Sequence, residues 1–185
     1  MVRYQHSLLR LLVALFGLTM LSGCSSHEFK GTVIEQASPA PDFTLTDHNE
    51  QPFRLSEQRG KVVLMFFGFT TCPDICPTTL SDMNALERAL GDDAEQVDVV
   101  FVTVDPERDT ADRLKRYVTN YNPSFIGVYG TQAELDPVIK SYGVVANKRE
   151  LPDSALKYTM DHSAFVYLID RSGKWQQVFS FGMDV

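Results

Sequence analysis

Residues 61–67, Lys-Val-Val-Leu-Met-Phe-Phe, carry no polar side chain after the first position. A strand with one wet face alternates apolar and polar residues. An unbroken apolar run rich in β-branched and aromatic side chains suits a strand covered on both faces. Gly68 ends the run, and Pro77 stands where a helix can begin. Leu80, Met83, Leu86 and Leu90 then form a helical stripe, with Gly91 as its stop. Residues 97–104, Val-Asp-Val-Val-Phe-Val-Thr-Val, repeat the buried-strand pattern. Strand, helix, strand in this order implies parallel strands joined by a helical crossover.

The rest of the chain extends that layout. The pattern predicts a hairpin from Pro41–Asp47 and Gln51–Leu55 about the polar turn His48-Asn49-Glu50. It predicts a polar helix over Thr110–Tyr121 with Leu114 and Val118 inward, and a short strand over Phe125–Tyr129. A further helix over Thr131–Tyr142 opens on a Thr131–Glu134 capping box. Two closing strands, Ala164–Ile169 and Trp175–Phe179, flank the turn-rich segment 170–174. The expected fold is α/β: a thioredoxin-like three-layer sandwich with a mixed central sheet, flanking helices and an N-terminal hairpin.

The N-terminus reads as a processed segment. Arg3 and Arg10 precede the apolar run Leu11–Leu21, which is too short to span a bilayer comfortably, and Leu21-Ser22-Gly23-Cys24 follows. Basic start, apolar middle and small residues make a signal peptide, and the tetrapeptide resembles a bacterial lipobox with Cys24 as the lipidated residue. The expected division is signal peptide 1–23, tether 24–38 and one domain over 39–185. This places the domain outside the cytoplasm, on the periplasmic side of a bacterial envelope and anchored to the membrane by lipid. The formal net charge of -7 argues against a nucleic-acid surface, which needs a basic patch.

With Cys24 set aside, Cys72 and Cys76 are the remaining cysteines, in the run Cys-Pro-Asp-Ile-Cys-Pro. Outside the cytoplasm a thiol pair tends to oxidise unless it is reduced or ligated. They fall between a central strand and a helix N-terminus, where sheet proteins place their sites and where a thiolate is stabilised. A purely structural disulfide would close so small a loop that it would add little stability. Three reactive readings stand. Dithiol–disulfide exchange suits the pair, although the usual spacing has two intervening residues and here there are three. A peroxidatic thiol needs an activating cation, and no arginine is close in sequence. Metal ligation by two thiolates and an imidazole suits copper better than magnesium or calcium, whereas a structural zinc site wants a fourth ligand.

Of the four histidines, His6 lies in the signal, His27 in the tether and His48 in a polar turn expected to face solvent. His162 precedes the apolar run Ala164–Ile169 and is expected at the start of a core strand, at a sheet edge. A histidine there is a common structural residue and also a common metal ligand.

The segment from Phe66 to Leu80, containing Gly68-Phe69-Thr70-Thr71-Cys72-Pro73-Asp74-Ile75-Cys76-Pro77, resembles the signature of the Sco/SenC family. Thr103-Val104-Asp105-Pro106-Glu107-Arg108-Asp109-Thr110 resembles the family's acidic loop, and Asp161-His162-Ser163-Ala164-Phe165 its histidine motif. Ala40-Pro41-Asp42-Phe43 and Gly60-Lys61-Val62-Val63 agree as well. The resemblance implies a thioredoxin-like copper-binding metallochaperone with Cys72, Cys76 and His162 as ligands for Cu(I) or Cu(II). It implies delivery of copper to, or reduction of the thiols of, the copper A site of cytochrome c oxidase. Cys72 and Cys76 would then alternate between dithiol and disulfide, served by a thiol reductant or another copper chaperone. The alternative is a thiol–disulfide oxidoreductase that uses Cys72 and Cys76 without carrying metal. Asp161 is read as a turn or cap residue ahead of a partner for the His162 ring, and Asp109 as a helix cap ahead of a site residue. Family members usually continue into a final helix, so a chain that stops at Val185 is expected to leave one sheet face short of cover.

Overall fold

The computed structural model describes residues 31–183. Cys24, His6, His27 and the signal and lipobox residues lie outside them. Ten strands and three helices follow one another: β1 (Thr32–Pro39), β2 (Thr44–Asp47), β3 (Pro52–Arg54), β4 (Val62–Gly68), α1 (Ile75–Leu90), β5 (Val97–Thr103), α2 (Ala111–Thr119), β6 (Ile126–Tyr129), α3 (Gln132–Ser141), β7 (Ala146–Leu151), β8 (Lys157–His162), β9 (Phe165–Ile169) and β10 (Lys174–Ser180). Eight strands form one sheet in the order β1-β10-β9-β4-β5-β6-β2-β3, and β7 and β8 pair separately. The β4–β5 and β5–β6 pairs are parallel; β4–β9, β9–β10 and β6–β2 are antiparallel. This is the mixed sheet expected from the alternation of strands and helices.

Phe66 and Phe67 show why β4 is apolar throughout. Neighbouring residues on a strand point to opposite faces, and both rings are fully buried. Phe66 meets Phe101 on the face that carries Cys76 of α1 and Tyr117 of α2. Phe67 meets Tyr142, just past α3, and Tyr167 on the other face. Each such ring contributes about 1.5–3 kcal/mol by leaving water. On the second face Tyr142 also donates from its hydroxyl to the Pro41 carbonyl at 2.8 Å, which ties the N-terminal hairpin down. The Thr131–Glu134 capping box forms as expected.

Four expectations change. Residues 32–38, assigned to the tether, belong to β1, which pairs with β10 across an irregularity between Val33 and Ser38. This edge strand is mostly exposed, and backbone pairing demands no apolar signature, so composition does not reveal it. The β7–β8 hairpin was not foreseen, because its side chains are largely polar and β7 is mostly exposed. In consequence His162 ends β8 and does not begin the core strand. His48 is buried and does not face solvent; its Nδ1 accepts the Gly127 N–H at 2.9 Å.

On the α1 face an apolar groove of about 320 Å³ remains, lined by Leu64, Met83, Leu86, Val166, Leu168 and Phe179 among others. Among the described residues no helix is long and apolar enough to cross a membrane.

Candidate metal centre

The site forms where β4 ends. Gly68 is required there by packing. A Cβ at this position would lie 2.8 Å from the Cys76 Sγ and 2.7 Å from the Phe101 ring. Glycine therefore lets the buried Cys76 sulfur nest against the end of the central strand.

The next residues turn into α1. Cys72 N–H donates to the Phe69 carbonyl at 3.1 Å. Asp74 occupies the N-cap position without a side-chain cap bond. The Cys72 sulfur takes that place, accepting the Cys76 N–H at 3.4 Å. Pro77 lacks an N–H, so it leaves no unsatisfied donor in this first turn. The thiol that ends the loop is thus the anion acceptor for the helix N-terminus. Hydrogen bonding from the Cys76 thiol, with backbone amides adding to it, draws the Cys72 thiol down to about 4 against the opposing effect of burial. The Cys76 thiol is pushed up by the same pairing and by burial. The pairing therefore favours the thiolate on the half-buried sulfur over the buried one. Neither cysteine is in a disulfide in this structure.

His162 arrives from the separate hairpin. Its Nε2 lies 3.6 Å from the Cys76 Sγ, and its Nδ1 lies 2.9 Å from the Ser163 carbonyl. A carbonyl only accepts, so Nδ1 holds the ring proton and the Nε2 lone pair faces the sulfurs. Edge-on contacts with Phe66 and Phe69 fix the ring plane. The two sulfurs and Nε2 all lie within 4.8 Å of one another. Metal–ligand bonds of about 2.0–2.3 Å span such a gap, and the soft donor set fits copper.

Asp161 does not orient the imidazole. Its carboxylate faces Arg149 across the β7–β8 ladder at 2.9 Å, in the open. The Ser163 carbonyl does that work. Asp109 is not a helix cap either: Thr110 caps α2 by accepting the Arg113 N–H. Asp109 is buried and accepts from the Thr70 N–H (3.0 Å), the Thr70 hydroxyl (2.5 Å) and the Thr103 hydroxyl (2.7 Å). Arg113 Nε donates to the same Thr70 hydroxyl at 2.7 Å. These bonds pin the cysteine loop to the end of β5. Burial pushes the Asp109 carboxyl upward while the hydrogen bonds from Thr70 and Thr103 oppose it. The sequence signal for this role was present in Thr103-x-Asp105-x-x-x-Asp109, but spacing alone does not tell a cap from a tie to a distant loop.

The SCO1/SenC family model matches residues 32–185. The SCO2-like protein of Rickettsia felis is 39% identical over 138 residues, covering 75% of this chain and 67% of that protein. Among solved structures, copper-bound ScoI of Bradyrhizobium japonicum is 42% identical with a TM-score of 0.72, covering 77% of this chain and 90% of that one. Apo Sco1 of Thermus thermophilus is 37% identical with a TM-score of 0.74, covering 84% of this chain and 89% of that one. With these matches spanning nearly all the described residues, the chain belongs to the SCO1/SenC family.

Proposed function

We propose that this protein is a copper-binding metallochaperone in which Cys72, Cys76 and His162 hold one copper ion. The observation that carries the reading is the approach of two sulfurs and an Nε2 lone pair to within 4.8 Å. The copper-bound Bradyrhizobium relative supports it. Two thiolates hold Cu(I), and the imidazole extends the site to Cu(II). Loading requires both sulfurs reduced. A Cys72–Cys76 disulfide must first take up two electrons and two protons, supplied by a thiol reductant.

The recipient is the copper A site of cytochrome c oxidase, reached by transfer of copper or by reduction of its thiols. A related protein, BsSco, is described as a member of the Sco family of cytochrome c oxidase assembly proteins, with a disulfide switch. The proposed setting is the periplasmic face of a bacterial envelope. Residues 1–23 would be removed and Cys24 lipidated to hold the domain at the membrane, with Leu21-Ser22-Gly23-Cys24 as the support. The intact mass of the mature protein tests this: a diacylglyceryl addition at Cys24 is expected, and an unmodified Cys24 overturns it.

The second reading, thiol–disulfide exchange without metal carriage, draws on the charged, half-buried Cys72 sulfur beside a protonated partner, the arrangement of a reactive dithiol. Anaerobic Cu(I) titration of the reduced protein in detergent separates the two. One copper per chain is expected, lost in Cys72→Ala and Cys76→Ala and weakened in His162→Ala. Unchanged copper binding in His162→Ala, together with disulfide reductase activity, overturns the carrier role.

A further inference from the structure

His162 belongs to a hairpin that, among the described residues, is hydrogen-bonded to no other strand. Next to its base the Ser163 N–H donates to the Val145 carbonyl and the Ser163 hydroxyl accepts the Val145 N–H; these bonds close the hairpin on itself and do not dock it. What fixes its face against the body is a stack built on Tyr158. Arg108 lies 3.7 Å over one side of the Tyr158 ring and Lys148 lies 4.0 Å from its centre. Arg108 Nη1 donates to the Tyr158 carbonyl at 3.0 Å, and the Tyr158 hydroxyl donates to Asp105 at 2.8 Å. Asp105 in turn accepts from Arg108 Nε. Lys148 also pairs with Glu107 at 2.8 Å.

Tyr158, Met160 and His162 are alternate residues of β8, so they share a face. Holding Tyr158 holds that face inward. A one-residue slip would turn His162 to solvent. Arg108 is a poor choice for stability alone: among the described residues its Nη2 is buried with no hydrogen-bond partner, and an unmet buried donor is destabilising.

We infer that Arg108 and Tyr158 are positioning residues for the metal centre: they clamp the β7–β8 hairpin to the loop after β5 and thereby set the approach of His162 to copper. The loop 105–109 is a two-armed bracket. Asp109 holds the cysteine arm through Thr70, and Asp105 with Arg108 holds the histidine arm through Tyr158. The inference rests on the copper-site reading.

The test is a mutant cycle on the full chain in detergent. It uses copper affinity by chelator competition, X-ray absorption of the copper-loaded protein and thermal melting of the metal-free protein. Arg108→Met and Tyr158→Ala are each expected to weaken copper about 10–100-fold, the range for residues that orient a ligand. They are also expected to remove the imidazole scattering from the copper spectrum while both sulfurs stay bound. In a His162→Ala background neither substitution should weaken copper further, because a residue acting through the imidazole has nothing left to position. An intact imidazole signal with unchanged affinity in both variants overturns the inference. So does an equal loss in the His162→Ala background, which marks a structural effect on the cysteine arm. Tyr158 lies on the peripheral hairpin, so Tyr158→Ala keeps the test open if Arg108→Met fails to fold. If His162→Ala itself leaves copper binding and spectrum unchanged, it is the copper-site reading that falls.

Discussion

The Nε2 of His162 stands 3.6 Å from the Sγ of Cys76, a residue 86 positions earlier in the chain. Neither residue reaches the other by local structure. Cys76 is placed by the first turn of α1 against the glycine that ends β4, and His162 by the last residue of a hairpin clamped to the opposite loop. The centre is therefore as rigid as the three elements that meet at it, and several expected outcomes follow from which contact is removed.

Gly68→Ala puts a methyl group 2.7–2.9 Å from the Phe101 ring, the Cys76 sulfur and the Phe66 ring. Two of these neighbours are packed aromatic rings and cannot swing away. The expected cost is about 1–3 kcal/mol, read by chemical denaturation, with weaker copper binding because Cys76 must move. Wild-type copper affinity in this variant would contradict the packing of the sulfur on the strand end.

Asp109→Ala leaves the Thr70 N–H and two hydroxyls without an acceptor in a buried site. An unmet buried donor costs about 1–3 kcal/mol. A total near 3 kcal/mol lowers Tm by about 6–12 °C for a domain of this size. The cysteine loop should loosen too, so copper affinity falls together with stability. A Tm shift below about 2 °C would show that Asp109 does not tie the loop.

Cys72 gives a pH signature. Its thiol lies near 4 in the fold, drawn down by hydrogen bonding from Cys76, so the thiolate is the dominant form well below the ordinary thiol range. Alkylation of the reduced, metal-free protein by iodoacetamide should proceed at Cys72 at pH 6 and slow only as the pH approaches about 4. Cys76, buried and raised, should stay unlabelled over the same range. Peptide mapping by mass spectrometry decides; a rate at Cys72 that rises only above pH 8 would contradict this ordering of the two sulfurs.

Thr131→Ala supplies a control outside the donor set of the metal centre. It removes one half of the capping box of α3 and should cost about 1 kcal/mol, or about 2–4 °C in Tm, with copper affinity unchanged. A loss of copper in this variant would mean that general destabilisation, and not local geometry, governs the centre.

The apolar runs of β4 and β5, the stripe on α1 and the capping box of α3 were legible because each is a local pattern enforced by burial. So was the thiol pair, since four residues of spacing at a strand–helix junction fix its neighbourhood. β1 and the β7–β8 hairpin were not legible, because an exposed strand is held by backbone hydrogen bonds that any side chain permits. Asp109 and Asp161 both took partners that spacing did not indicate, for a related reason. The partner of a carboxylate is chosen by which donors the fold brings to it, and here those donors were Thr70 and Arg149.

By itself, the order of residues determined the covered parallel strands, the helices laid on them and the chemistry on offer: two soft sulfurs and an imidazole. Tertiary structure alone decided which imidazole nitrogen faces the sulfurs, which sulfur is buried, and that a loop after the second central strand braces both arms. Covalent proximity sets local conformation, but the approach of groups 86 residues apart is set by long-range packing, which no short stretch of sequence encodes.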